Sequence, residues 1–184
     1  MSLRHLLDVP AFRDSQEGGQ LFALGQLQKL RQVDRKEPAR PRCCCGLLPV
    51  VDIRPGDQVL ATDPQTGATR AEPVTQLHRN LDTELADVTV EGHGGDQAVQ
   101  TTPHHPFCNA TTRNWTDAGD LQPGDALLGR GGPATVTAVQ RHPGNRIMHN
   151  LTVANLHTYY VMAGTTSVLV HNCGSAGKHG GRAG

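Results

Sequence analysis

The chain has 184 residues, a formal net charge of zero and 36% hydrophobic residues, with only 3% aromatic residues. The balanced charge argues against a nucleic-acid-binding protein, which needs a basic face, and no apolar stretch is long enough to span a membrane. Charged residues also interrupt the N-terminal region where a signal peptide needs an apolar run. The length predicts one domain with tails, and its core must consist mainly of Val, Leu and Ala.

The first 42 residues differ from the rest in charge and pattern. Residues 1–42 carry eight Lys and Arg against five Asp and Glu, which leaves nine against twelve for the remainder (17 − 8 and 17 − 5). Leucines at steps of three between Leu21 and Leu30 predict one short N-terminal helix. The prolines and basic residues of segment 35–42 predict a linker.

From Leu47 onward the sequence has the pattern of an all-β fold. Short runs rich in Val, Leu and Thr alternate with turn sequences such as Pro-Gly-Asp and Gly-Gly. The predicted strands lie at residues 58–61, 87–90, 134–139, 159–161 and 167–170. The Gly-rich tail, residues 174–184, has too few apolar residues to pack and is predicted to be disordered.

Three sequence repeats occur in the same order in both halves of this region. They predict two similar β-subdomains related by a pseudo-two-fold axis. Each half is too small to bury its apolar face alone, so we expect the halves to interlock. The matching pairs are residues 52–60 with 120–128, 73–77 with 135–139, and 87–90 with 150–153.

Five cysteines are present, in an arrangement unsuited to disulfides. An odd number, with Cys43, Cys44 and Cys45 adjacent, predicts free thiols or nucleophiles. With His105 and Cys108 they leave open a Cys/His metal-binding module, but no Cys-x-x-Cys pair supplies paired ligand spacing. We therefore expect no bound metal, and no cofactor.

The end of the last predicted strand concentrates reactive groups. In His171-Asn172-Cys173, the side-chain amide of Asn172 can attack its own carbonyl, close a succinimide and free Cys173 as a new N-terminus or thiol nucleophile. His171 can protonate the leaving amine or polarise the carbonyl. The alternative is a strand that ends in an Asn turn.

Other histidines lie in sequences that suit catalysis to different degrees. In Thr102-Pro103-His104-His105, the Thr102 hydroxyl can bond a carbonyl oxygen while His105 protonates a departing nitrogen. The alternative is a surface loop. His157 precedes an aromatic strand and can reach the far end of the sheet, unless it is structural. The histidines without a partner pattern, predicted to be solvated loop residues, are His78, His93, His142 and His149.

Taken together, these stretches resemble the Hint domain, the self-cleaving module of inteins and hedgehog-type autoprocessing proteins. The resemblance is closer to the pretoxin Hint domain of bacterial polymorphic toxins. It implies an all-β, horseshoe-like fold of two interlocked subdomains, and autocatalytic peptide cleavage that usually releases a C-terminal toxin. The matching stretches are residues 53–64, 102–107, 115–125, 150–161 and 168–173.

The resemblance implies roles at the C-terminal bond. His157 corresponds to the histidine that assists the C-terminal step. His171 and Asn172 correspond to the penultimate His and the cyclising Asn, and Cys173 to the first residue of the downstream segment. Asn150 stands where many inteins have an Asp that tunes nucleophiles.

It also implies roles at the N-terminal bond, where this sequence departs from the family. Thr102 and His105 correspond to the pair that activates the N-terminal scissile bond. The nucleophile there is a Cys that opens the domain, and the candidates are Cys43, Cys44 and Cys45. Only a few residues separate them from the next matching stretch, so a strand is missing. We expect thioester formation to be weak or absent.

Three hypotheses follow: single-turnover self-cleavage between Asn172 and Cys173, a folded but inert Hint remnant, and a Cys/His metal module. The predicted domain boundaries are 1–42, 43–173 and 174–184. We expect a monomer that needs no partner for cleavage, has lost its toxin, and contacts neither nucleic acid nor membrane. A bacterial cytoplasmic location is expected, although the family often belongs to secreted effectors.

Overall fold

Strands account for most of the fold. The computed structural model describes residues 26–28, 46–92 and 95–172. Within these ranges, the only helical elements are two short 3-10 turns, Val50–Asp52 and Ala118–Asp120. The strands are β1 (Gln26–Gln28), β2 (Leu47–Pro49), β3 (Gln58–Thr62), β4 (Thr69–Val90), β5 (Gln97–Thr101), β6 (Pro106–Cys108), β7 (Trp115–Asp117), β8 (Ala126–Leu127), β9 (Ala134–Val153), β10 (Thr158–Ala163) and β11 (Thr166–His171).

The described part of the chain therefore confirms the all-β prediction. It contains no helix that is both long and apolar enough to cross a membrane.

The predicted N-terminal helix is wrong for the residues that the structure describes there. Gln26–Gln28 is the strand β1, which pairs antiparallel with β2. β1 also packs against β10. Leucines at steps of three fit a helix, but tertiary pairing with another strand overrides such a weak local preference. The remainder of the predicted helix and the linker lies outside the described residues.

Two long antiparallel strands connect the halves of the molecule. β4 pairs with β9 from Val74 opposite Val153 to Val90 opposite Val136, with three register shifts along the way. Such bulges bend and twist a ladder, which lets one strand pair serve two subdomains. β3 and β5 pair with β4, and β8 pairs with β9, while β10, β11, β6 and β7 form a second sheet in that order.

The sequence repeat corresponds to a structural repeat at the level of single hydrogen bonds. In the first half, the amide of Gly56 donates to the Val74 carbonyl, and Val74 returns a bond to the carbonyl before β3, both at 2.8 Å. In the second half, Gly124 and Val136 make the same pair of contacts, also at 2.8 Å. Both glycines have positive φ, 91° and 96°, which glycine adopts without steric cost. The predicted pseudo-two-fold is thus confirmed.

The core follows from the composition. Most of its buried side chains are Val, Leu or Ala, and the largest fully buried one is Phe107. The inward-facing residues of β4 and β9 alternate with exposed ones, as expected for strands with one face in the core. β10 is buried along its whole length because it lies between β11 and the first subdomain. Its first residues, Thr158 and Tyr159, lie beside residues of the candidate site.

Candidate active site

The 3-10 turn that follows β7 forms backbone hydrogen bonds with the loop from Thr102 to His105. The amide of Ala118 donates to the His105 carbonyl at 2.9 Å, and the amide of Gly119 donates to the Pro103 carbonyl at 2.8 Å. Within the loop, the His105 amide donates to the Thr102 carbonyl at 3.1 Å. These three bonds fix the spacing between the Thr102 hydroxyl and the His105 imidazole.

Thr102 and His105 open into one pocket of about 160 Å³. Val50, which directly follows β2, also lines this pocket, so the front of the domain lies beside the two predicted residues. The other lining residues come mainly from β4, β5 and β9 and include Asn80, Asp82, Gln100, Met148, His149, Asn150 and Tyr159.

The His105 imidazole is held in its neutral form. Desolvation is the largest cause, and the positive charge of His171 adds to it, so the pKa of His105 falls to about 4. Its ring lies 5.9 Å from Phe107 and 6.5 Å from Tyr159, between centroids. A neutral imidazole at pH 7 can accept a proton during a reaction, or can donate its own N–H to a carbonyl.

Asn150 and Tyr159 form a polar pair in the same pocket. The Tyr159 hydroxyl donates to Asn150 Oδ1 at 2.7 Å, and the Leu151 amide donates to the same oxygen at 2.7 Å. Burial raises the pKa of Tyr159, so the phenol remains a donor. No motif in the sequence marks Tyr159 as a candidate site residue. The signal was its place beside Tyr160, since these are the chain's only two tyrosines.

Asn172 is buried, and its side chain has no partner in the part of the chain that the structure describes. It is 3% exposed, and neither Oδ1 nor Nδ2 has a hydrogen bond to any described residue. Its backbone amide donates to the carbonyl of His157 at 2.9 Å, which fixes the end of β11 against the turn before β10. Leaving a buried amide unpaired costs about 1–3 kcal/mol, so this arrangement lowers the stability of the fold.

Two histidine rings flank Asn172. The ring of His171 lies 6.3 Å from that of His157 and 4.9 Å from that of Trp115. Burial, together with the charge of His157, lowers the pKa of His171. His157 is exposed and has a φ of 54° in the turn before β10.

Strand register brings both sets of predicted residues together. β6 and β11 are antiparallel, with Phe107 opposite Val170. Two residues beyond this pair on each strand are His105 and Asn172, so the same register aligns them. The charge of His171 lowers the pKa of His105, which agrees with this proximity. The structure therefore places His105, His171 and Asn172 near one another.

Four of the predicted site residues lie outside the described residues, so their positions stay predictions: Cys43, Cys44, Cys45 and Cys173. Cys108 is a buried free thiol whose pKa burial raises. No three His, Cys, Asp or Glu side chains in the described ranges are grouped to hold a metal ion.

The prediction of solvated loop positions is wrong for three histidines, because they lie in the long strands β4 and β9. His78 Nε2 lies 2.7 Å from Thr152 Oγ1, and His142 Nε2 lies 3.2 Å from Asp87 Oδ2. His149 lines the pocket, and burial lowers its pKa. The strands are longer than local propensity predicts because each is the other's partner. His93 lies outside the described residues.

A family model described as the pretoxin Hint domain matches residues 42–173, well over half of the chain. The chain belongs to the pretoxin Hint family. No curated protein matches it significantly.

Solved structures agree with this membership. The solution structure of a bacterial intein-like domain from Clostridium thermocellum is 33% identical, with a TM-score of 0.62 over 69% of this chain and 89% of that one. The gp41-1 intein is 16% identical, with a TM-score of 0.55 over 80% and 93%. A DnaB intein from Synechocystis sp. is 14% identical, with a TM-score of 0.55 over 80% and 95%. The two inteins support the Hint fold alone, which is that of an autoprocessing domain family.

Proposed function

We propose that this Hint domain cleaves its own chain between Asn172 and Cys173 by cyclisation of Asn172. The observation that supports this most directly is the buried side chain of Asn172, which has no hydrogen-bond partner among the described residues. An amide that must attack its own backbone carbonyl cannot be held by other groups in the ground state. Burial also removes water that would compete for its nitrogen.

The proposed reaction needs no co-reactant. Nδ2 of Asn172 attacks the carbonyl carbon of the same residue and loses a proton, and the bond from that carbon to the nitrogen of Cys173 breaks. The nitrogen of Cys173 gains a proton and leaves as an amine, while Asn172 becomes a C-terminal succinimide. Because the attacking group is held in place, orientation can supply several kcal/mol, and at best about 7–11 kcal/mol, of barrier lowering.

The histidines divide the proton transfers. His171, beside the scissile bond, protonates the departing amine. The His157 carbonyl accepts the backbone N–H of Asn172 at 2.9 Å, and the His157 ring lies 6.3 Å from the ring of His171. Because the pKa of His171 is lowered, its imidazole is mainly neutral at pH 7 and can take the proton that Nδ2 loses before it protonates the amine.

We further propose that the N-terminal thioester step is impaired. Thr102, His105 and Val50 line one pocket, which suits activation of a peptide bond held there. β2, however, is only three residues long and extended, so at ~3.3 Å per residue it carries the chain about 10 Å from Val50 by Leu47. The cysteines precede Gly46, whose φ of 70° bends the chain just before β2. A peptide bond displaced from the Thr102 and His105 side chains that would activate it loses rate steeply, about 10²-fold for 1 Å.

Incubation followed by intact-mass measurement tests the C-terminal step. We expect release of the segment that begins at Cys173. The remaining fragment, which ends at Asn172, should weigh one water less than a hydrolysed product until the succinimide opens. Asn172→Ala should abolish the release, and His171→Ala should slow it roughly 10²–10⁴-fold. Asn114→Ala, at an exposed asparagine, is the matched control and should cleave like the parent chain.

Two outcomes contradict the proposal. Release that survives Asn172→Ala would exclude cyclisation, and a parent chain that stays intact would favour an inert Hint remnant. We propose that cleavage needs no partner and occurs in the monomer, so its rate constant should not change with protein concentration.

A further inference from the structure

Glu72 is a buried carboxylate outside the site described above. It lies on β4 and is 3% exposed. Both of its oxygens have partners: Oε1 pairs with the guanidinium of Arg70, and Oε2 accepts a bond from Asn155 Nδ2 at 2.7 Å. Burial alone would raise the pKa of Glu72, but the bonds from Arg70 and Asn155 outweigh it and hold the pKa below the usual value. The group is therefore a carboxylate at neutral pH.

The partner of Glu72 lies in a strained turn. Residues 154–157 connect β9 to β10, and within them Asn155 and His157 have φ of 55° and 54°. Asparagine tolerates left-handed backbone, but at His157 this conformation costs about 1–2 kcal/mol, so other contacts must hold the turn. The Ala154 amide donates to the Pro73 carbonyl at 3.0 Å, and Glu72, next to Pro73, binds the Asn155 side chain.

The same turn ends at His157, whose carbonyl binds Asn172, the residue before the proposed scissile bond. His157 O accepts the backbone N–H of Asn172 at 2.9 Å. We propose that Glu72 is a positioning residue for the C-terminal cleavage site, acting through Asn155 to hold His157 against Asn172. The proposal rests on the proposed cleavage for its effect on rate, but its structural part stands apart from it.

A carboxylate suits this role better than a neutral group. A hydrogen bond to a charged acceptor is roughly twice as strong as a neutral one, and Arg70 offsets the cost of burying the charge. The contact joins β4 of the first sheet to the turn before β10. Glu72 thereby fixes the turn with respect to a strand that does not contain the reacting groups.

Asn155→Gly tests the contact without disturbing the backbone. Glycine adopts the left-handed conformation without strain but has no side chain to bind Glu72. The matched control is Arg113→Gly, at another non-glycine residue with positive φ, 59°. Glu72→Gln, which keeps an oxygen for Asn155, should partly rescue what Glu72→Ala removes.

Two readouts separate positioning from cleavage. The first is the cleavage rate by intact mass, which Asn155→Gly should lower about tenfold while Arg113→Gly leaves it unchanged. The second is hydrogen exchange of the residue-172 amide in the Asn172→Ala background, where the bond to His157 O remains but cleavage is blocked. Asn155→Gly should speed this exchange about tenfold, with no change at Leu169, whose amide donates to Leu128 O instead.

The outcomes are distinct. Selective loss of protection at residue 172 supports the proposal, whether or not the parent chain cleaves. Equal acceleration at residues 172 and 169, or no change at either, overturns it because Glu72 would then be only a stabilising group or without effect on the site. A parent chain that never cleaves contradicts the proposed function alone, since the exchange measurement still decides the role of Glu72.

Discussion

At the scale of single residues, this domain keeps polar groups under conditions that cost stability. The Asn172 amide is buried without a partner among the described residues, and His105 is held neutral by desolvation and by the charge of His171. Groups with strongly shifted pKa values tend to gather at reactive sites. Here the shifted groups are His171, the chain neighbour of Asn172, and His105, which the register of β6 and β11 aligns with Asn172.

His105 should make the stability of the domain pH-dependent. Its pKa is about 4 in the fold against 6.5 when unperturbed, so below pH 6.5 the unfolded chain binds a proton that the folded chain does not. The stabilising effect is complete above pH 6.5 and is lost as the pH falls toward 4. Between pH 7 and 5 the loss should be about 2 kcal/mol.

Urea unfolding of the parent chain and of His105→Gln at both pH values measures this effect. The free energy of unfolding of the variant should fall less between pH 7 and 5, by about 2 kcal/mol. Parallel pH dependence in the two proteins would contradict the assigned pKa, because other histidines are common to both.

At the scale of the elements, the backbone is packed most closely where the turn after β8 passes the start of β11. A Cβ at Gly129 would meet the carbonyl oxygens of Gly132 and Ser167, the latter at 2.6 Å. Both oxygens belong to the backbone, so neither can move away by a side-chain rotation. The Ser167 hydroxyl also accepts the Arg130 amide at 3.1 Å. This crossing therefore joins the turn to β11, the strand that ends directly before Asn172.

Gly129→Ala should destabilise the domain, while Gly131→Ala should not. A Cβ at Gly131, in the same turn, would meet nothing within 4 Å, and its φ lies outside the left-handed range. We expect a cost of about 2 kcal/mol for Gly129→Ala and less than ~0.5 kcal/mol for Gly131→Ala. Thermal unfolding should give a Tm lower by roughly 4–8 °C for the first. Equal Tm values would mean that the crossing can relax.

At the scale of the whole molecule, the two proposed scissile bonds have unequal structural support. The C-terminal site is built from β11 and the turn before β10, which are both part of the interlocked sheets. The N-terminal side depends on β2, whose partner within the described residues is β1 rather than a strand of the larger sheets. We therefore expect cleavage mainly at the C-terminal bond.

Dithiothreitol tests this asymmetry. An added thiol intercepts a thioester and frees the segment before it, so a working N-terminal site would release a fragment that ends at Arg42, Cys43 or Cys44. We expect no such fragment from the parent chain or from Asn172→Ala, because the thiols precede the bend at Gly46. Its appearance by mass spectrometry in Asn172→Ala, where the C-terminal step is blocked, would prove the front site intact.

Much of the fold could be predicted from local patterns. The Pro-Gly-Asp repeats predicted the pseudo-two-fold because each Gly is needed at a positive φ and each Asp side chain caps its own turn, as Asp57 does for Arg54 and Asp125 for Gln122. Alternating Val and Thr predicted strands. The helix expected around Leu27 was wrong because a strand partner far along the chain decided the conformation of that segment.

For the site, the sequence determined which groups are present, and the tertiary structure decided what state they are in. The types and spacing of Thr102, His105, His171 and Asn172 follow from the chain itself, and so does the chemistry that they can perform. The low pKa of His105, the lack of a described partner for the Asn172 amide and the contact of Glu72 with Asn155 depend on desolvation and on neighbours brought close by strand pairing. Such contacts join residues as far apart as 83 positions, and no local pattern encodes them.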